Sequence, residues 1–200
     1  MTIDTVKEVS GGCIKITSSE GPSFFIRTEY LEFVAPEQLH CGAVFEESGF
    51  EDIVQAGFAF AAERGALCFL GRSEHCRSML ERKLSKKGHD APAIKKALDR
   101  LERQGALDDL RFARAWLHNR LISRAEGPAR LSGELARRGL KREVIEEALQ
   151  EFLQNESLDT LFERALFKLQ RAGKTGKKLE DALFRKGFDL RRIKGIKICE

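Results

Sequence analysis

The sequence predicts a mainly α protein: three tandem three-helix repeats in an elongated curved array, preceded by a small β-rich N-terminal segment. Three observations lead there. From about residue 51 onward, apolar residues recur at the i, i+3, i+4 and i+7 spacing of a helix with one buried face. One set of anchor residues returns three times, at a period of 51 and then 48 residues. Charged residues make up 33% of the chain, which suits long solvated helix faces better than a thick sandwich core.

The N-terminal segment, residues 1–50, reads differently. Ile14 and Ile16 alternate with Cys13, Lys15 and Thr17, and Phe24 and Ile26 alternate with Phe25 and Arg27, the two-residue period of strands. Gly11-Gly12 and the stretch Ser18-Ser19-Glu20-Gly21-Pro22 supply the turns between them. A three-stranded meander of this size is marginal alone, so it should lean on the first helix.

The helical body carries the repeat. Leu80, Leu84, Gly88, Ile94 and Leu98 correspond to Leu131, Leu135, Gly139, Ile145 and Leu149, and again to Leu179, Leu183, Gly187 and Ile193. Leu at i and i+4 shares one helix face, and Gly four residues on fits the left-handed position just past a helix C-terminus. Ile94, Ala97, Leu98 and Leu101, like Ile145, Ala148, Leu149 and Phe152, then form the stripe of a following helix. In the third copy Ile193 and Ile196 keep the phase, while Lys197 and Glu200 face water as a terminal repeat should. Helix starts agree: Gly127-Pro128 opens the middle helix of the second copy, and Asp108-Asp109 caps the helix beginning Leu110-Arg111-Phe112-Ala113. The expected division is 51–107, 108–155 and 156–200, with nine helices in all.

Several function classes drop out. No apolar run approaches the roughly 20 residues of a membrane span, and the N-terminus lacks the pattern of a signal peptide. The expected location is therefore the cytoplasm, with no membrane partner. Cys13, Cys41, Cys68, Cys76 and Cys199 are odd in number and contain no CxxC pair, as suits reduced thiols. His40, His75, His89 and His118 form no metal-ligand spacing, so neither a metal nor another cofactor is expected. Gly173-Lys174-Thr175 resembles the end of a phosphate loop, but Lys168 stands where the earlier glycine belongs and no strand precedes it. The paired carboxylates Asp108 and Asp109 read as helix caps rather than as acid–base groups. A chain without catalytic constellations reads as a binding protein, not an enzyme.

Charge is uneven. Residues 1–57 hold three Lys/Arg against ten Asp/Glu, a balance of −7, and residues 58–200 hold 32 against 21, a balance of +11. A basic pair precedes each anchor glycine: Lys86-Lys87, Arg137-Arg138 and Arg185-Lys186. Cations in a last helical turn are favoured locally by the helix dipole. Three copies in one register also supply a periodic positive surface for a periodic negative partner. Arg82, Lys83, Arg120, Arg124 and Arg130 extend the patch, and with the three pairs they form the candidate surface for a filament or DNA phosphate. One Trp, one Tyr and Phe residues mostly in apolar phase argue against base stacking.

These residues resemble the RecX family. The resemblance rests on Ala66-Leu67-Cys68-Phe69-Leu70-Gly71-Arg72, on Leu80-Glu81-Arg82-Lys83-Leu84, on Leu107-Asp108-Asp109-Leu110-Arg111-Phe112-Ala113, and on Gly127-Pro128-Ala129-Arg130-Leu131 with Glu134, Leu135 and Gly139. It covers residues 66 to about 152. Cys76 and Met79 replace the Ser and Glu usual in the family, which removes a capping box and leaves that helix start less well satisfied. The resemblance implies a regulator of the RecA recombinase that binds the RecA filament on single-stranded DNA and restrains its assembly, strand exchange and ATP hydrolysis; the chain itself is expected to be a monomer. The alternatives are a direct nucleic-acid-binding helical module and a helical scaffold for an unrelated acidic partner. The acidic head is expected to fold against the basic body and moderate DNA binding.

Overall fold

The computed structural model describes residues 2–18 and 21–195. Ser19 and Glu20 of the expected turn, and Ile196, Lys197, Cys199 and Glu200 of the last copy, lie outside the described residues. Strands β1 (Ile3–Ser10), β2 (Cys13–Ser18) and β3 (Gly21–Arg27) form an antiparallel sheet in the order β1-β2-β3. Among the described residues nine α-helices follow, α1 (Glu47–Leu70), α2 (Arg77–Lys86), α3 (Ala91–Arg103), α4 (Asp109–Ser123), α5 (Pro128–Ala136), α6 (Arg142–Asn155), α7 (Leu158–Arg171), α8 (Gly176–Arg185) and α9 (Leu190–Lys194). The mainly α class with a small N-terminal sheet is thus observed.

Residue contacts divide the chain into two compact units, Met1–Ser73 with Leu80–Leu107, and Glu74–Met79 with Asp108–Glu200. The first unit holds the sheet, α1, α3 and all of α2 but its first turn. Ile3, Ile16 and Ile26 bury one face of the sheet against Ile53, Ala56, Ala59 and Phe60 of α1. The sheet does lean on the first helix, as its size demands. β2 departs from strict alternation: Cys13 and Ile16 are buried and Ile14 only half-buried. A second cluster in this unit joins Ala66 to Leu80, Leu84, Ile94, Leu98 and Leu101.

α1 corrects the reading of hydropathy. By length and composition its 24 residues are apolar enough to cross a membrane. Glu51, Asp52, Glu63 and Arg64 interrupt a segment that Ala and Phe otherwise keep apolar. Two of those charges are used inside the unit. Asp52 accepts hydrogen bonds from the backbone N–H groups of Glu32, Phe33 and Val34 at 2.8–3.0 Å. Burial pushes its carboxyl up, and the three N–H donors outweigh that and hold it below its usual range. Glu63, 1% exposed, accepts from Arg27 Nε at 2.8 Å, Tyr30 Oη at 2.8 Å and Arg100 at 3.2 Å, tying β3, α1 and α3 together. Burial and the Glu63 hydrogen bond both push the Tyr30 hydroxyl far up. Acidic residues of the N-terminal segment also meet α3, Glu29 with Arg100 at 2.6 Å and Glu32 with Lys96 at 2.8 Å.

The second unit contains two clusters. Phe112, Leu117, Leu131, Leu135, Ile145 and Ala148 pack with Cys76, and Leu161, Phe162, Leu169, Leu179, Leu183, Phe188 and Ile193 pack together beyond them. The anchor glycines do end their helices: Gly88, Gly139 and Gly187 have φ of 87°, 89° and 88°. In the second unit two of them have a further role. A Cβ at Gly187 would lie 2.3 Å from the Arg130 backbone nitrogen, and one at Gly139 would lie 2.3 Å from Ser78 Oγ. The end of α8 is docked on the start of α5, with Gly127 N–H donating to Lys186 O at 2.7 Å and Ala129 N–H to Gly187 O at 3.3 Å. Orphan carbonyls at the end of α8 thus meet orphan amides at the start of α5. The end of α5 meets the start of α2 through a side chain instead, with Cys76 Sγ donating to Arg138 O at 3.4 Å.

Asp108 and Asp109 are both caps, of different helices. Asp108 accepts from Leu110 N–H at 2.9 Å and Arg111 N–H at 3.0 Å, while Asp109 accepts from Arg77 N–H at 2.7 Å. The α2 start expected to be poorly satisfied is therefore supplied by Asp109. Cys13 and Cys76 are buried free thiols and Cys41 and Cys68 exposed ones. Among the described residues no group of His, Cys, Asp and Glu has the arrangement of a metal site.

Candidate functional site

The candidate residues sit at helix ends, where the sequence places cations after an apolar stripe has run out. In the first unit Arg82, Lys83, Lys86 and Lys87 occupy the end of α2 and the turn after it. Lys83 Nζ and Lys87 Nζ each stand 4.6 Å from the centre of the Phe69 ring, and Lys86 is exposed. Both lysines thus share one aromatic anchor on α1.

In the second unit the basic residues divide by what they touch. Arg138 and Arg120 lie over the Trp116 ring at 4.7 and 5.1 Å. Arg138 also pairs with Glu134 at 3.1 Å, and Arg120 with Glu126 at 2.8 Å. Glu126, only 4% exposed, takes Arg130 as a second partner at 3.0 Å, and Arg130 donates to Arg185 O at 3.0 Å. Lys186 Nζ donates to Ala125 O at 3.2 Å, and burial pushes its ammonium below the usual range while Glu126 opposes the shift. Arg124, Arg137 and Arg185 are exposed.

The repeated pair therefore has a division of labour. Its second member is anchored, Lys87 over Phe69, Arg138 over Trp116 and Lys186 on Ala125 O. Its first member, Lys86, Arg137 or Arg185, is exposed, as Lys87 also is, and Arg137 meets Glu134 at 3.3 Å while Arg185 donates to Asp181 O at 3.2 Å. Arg137, Arg185 and Arg130 line one groove of about 290 Å³ in the second unit, with Phe184 in its wall.

Sequence reasoning missed the groups that organise this surface. Glu126 and Glu134 neutralise its inner cations, and their only sequence signal was a carboxylate four residues before an arginine at Glu126–Arg130 and Glu134–Arg138. It also placed the phenylalanines mostly inside. Phe33, Phe50, Phe58, Phe167 and Phe184 are exposed, at 81, 40, 51, 60 and 57%. The other nine of the 14 phenylalanines are buried or half-buried, as expected, and the five exposed rings leave stacking open at those positions.

Comparison with known proteins adds a second line. The profile described as "RecX, first three-helix domain" matches residues 66–101, and "RecX, second three-helix domain" matches residues 108–149. "Regulatory protein RecX" of Treponema pallidum (strain Nichols) is 41% identical over 129 residues, which span 64% of this chain and 79% of that protein. The protein of the same name from Geobacillus thermodenitrificans is 30% identical over 158 residues, 76% of this chain and 58% of that one. A crystal structure of regulatory protein RecX superposes with a TM-score of 0.76 at 20% identity, covering 98% of both chains. RecX from Lactobacillus salivarius matches at 0.58 and 18% identity over 68% of this chain and 92% of that one.

Proposed function

This chain belongs to the RecX family of regulatory proteins, and from that membership we propose that it regulates the RecA recombinase by binding the RecA filament on single-stranded DNA. It restrains filament assembly, ATP hydrolysis and strand exchange, and so acts in DNA recombination, repair and the SOS response. It works in the cytoplasm by binding rather than by catalysis. We read the helical body as three repeats, 51–107, 108–155 and 156–200.

The observation that carries this reading is the recurrence of one solvent-facing cation, Lys86, Arg137 or Arg185, before each anchor glycine, with its neighbour anchored behind it. A partner that carries negative charge at repeated positions offers each of these cations a counterpart. The test is DNA-dependent ATP hydrolysis by RecA on single-stranded DNA, with this protein added well below the recombinase concentration. Progressive loss of hydrolysis is expected. Unchanged hydrolysis at equal concentration, with tight binding to bare DNA, would instead favour the direct nucleic-acid-binding module.

A further inference from the structure

Phe184 stands in the last turn of α8 with its side chain 57% exposed, although a ring of that size is normally covered. It forms part of the wall of two grooves in the second unit. One carries Arg130, Arg137 and Arg185, and the other carries Arg191 and Arg192. Gly133 and Ala129 line the first groove, so little side-chain bulk stands beside the ring there.

The cations differ in how far they are occupied. Arg192 pairs with Asp159, and Asp189 is spent in accepting from Arg192 N–H at 2.8 Å. Arg130 pairs with Glu126 at 3.0 Å. Arg137 is 80% exposed and meets Glu134 at 3.3 Å, while Arg185 Nε donates to a backbone carbonyl of its own helix, Asp181 O, at 3.2 Å. Two exposed arginines, Arg137 and Arg185, therefore line the same groove as an open aromatic ring.

Arginines alone would suit any anion. An acidic protein surface offers carboxylates but leaves the ring with no planar partner, and duplex DNA keeps its bases inside the stack. Only an unpaired strand presents phosphates and base faces together. We propose that this site binds single-stranded DNA directly, with one base stacked on Phe184 and flanking phosphates held by Arg137 and Arg185. The inference deepens the filament reading and rests on it for the choice of DNA.

The experiment is fluorescence anisotropy of a labelled oligothymidylate with the full chain and no recombinase, in parallel with the ATP-hydrolysis assay. Phe184→Ala should weaken single-strand binding by about 5- to 100-fold, as loss of one stacked base does. Phe184→Tyr should stay within about twofold, and a duplex of equal length should bind both variants as it binds the parent chain. Arg137→Ala and Arg185→Ala should each lower the slope of log K against log salt by about 0.7. Unchanged single-strand binding by Phe184→Ala, or equal loss on single strand and duplex, overturns the proposal. Wild-type protein that leaves ATP hydrolysis untouched overturns the filament reading instead, whatever Phe184→Ala does to the oligonucleotide.

Discussion

At Gly187 an added methyl group would meet the Arg130 backbone, at Gly139 it would meet the Ser78 side chain, and at Gly88 it would meet nothing within 4 Å. All three share a φ near +88°, so the backbone strain of Gly→Ala is common to them and costs about 1 kcal/mol. The differences come from the neighbour. A serine side chain can turn aside, whereas a helix backbone cannot, so the destabilisation should rise from Gly88→Ala through Gly139→Ala to Gly187→Ala. The last should exceed the first by about 2 kcal/mol, or roughly 4–8 °C in thermal unfolding for a chain of this size. Equal shifts at all three positions would show that φ alone matters. The left-handed φ was legible in the sequence, because a glycine four residues past a Leu-x-x-x-Leu pair has few other uses. The close approach was not, because it depends on which helix start comes to lie opposite. Glu63 was likewise illegible: it lies within an apolar helix, and its partners Arg27, Tyr30 and Arg100 are 36, 33 and 37 residues away. Replacing Glu63 by Ala would leave Arg27, at 16% exposure, without its carboxylate and Arg100, at 8%, with Glu29 alone. Urea unfolding should then show a loss of about 3–5 kcal/mol, and a loss below 1 kcal/mol would mean that water replaces the carboxylate readily.

Elements in this fold are capped from outside themselves, and pH should reveal it. Asp52 on α1 holds three successive N–H groups of the chain that leads into that helix, and its carboxyl titrates below its ordinary value of 3.8. A carboxylate with a depressed folded pKa contributes stability that is full above the unfolded value and is lost as pH falls through the folded one. The stability gap between the parent chain and Asp52→Asn should therefore be constant from pH 7 to about 5 and shrink below 3.8. A gap that persists unchanged at pH 2.5 would assign the effect to packing. Asp109→Ala should cost about 1 kcal/mol through the start of α2, even though Asp109 stands in the first turn of α4. Helix spans were legible at this scale because leucine spacing, Pro128 and the glycines mark both ends of α5 and similar signals bound its neighbours. α1 was harder, since apolar residues surround it and periodicity could not say which phenylalanines face out. The same helix complicates the role of the acidic segment. Deleting residues 1–50 to unmask the basic body would also strip Ile3, Ile16 and Ile26 from the α1 core. Glu29→Gln with Glu32→Gln leaves the sheet in place and is the cleaner test of whether the segment moderates DNA binding.

Across the whole molecule the basic pairs put one chemical question three times over, with inner and outer members giving different answers. The outer cations Lys86, Arg137 and Arg185 make little use of the protein around them, while the inner Arg138 and Lys186 are held by Trp116, Glu134 and the Ala125 carbonyl. Surface cations contribute little to stability, and cations that contact a partner's phosphates or carboxylates contribute to binding with a salt dependence. Lys86→Gln, Arg137→Gln and Arg185→Gln combined should leave thermal unfolding within about 2 °C of the parent, because each exposed charge is worth only tenths of a kcal/mol. The same variant should need roughly tenfold more protein to inhibit RecA, since each lost contact weakens binding by about 1 kcal/mol or less once the ions released on binding are counted. Arg138→Gln should do the reverse. It removes a cation from above Trp116 and an ion pair from Glu134, so it should lower stability by about 1 kcal/mol and change inhibition only in proportion to unfolded protein. If the triple outer variant inhibits as the parent does, the periodic cations serve their own helix ends, and the partner is held by another face of the repeats.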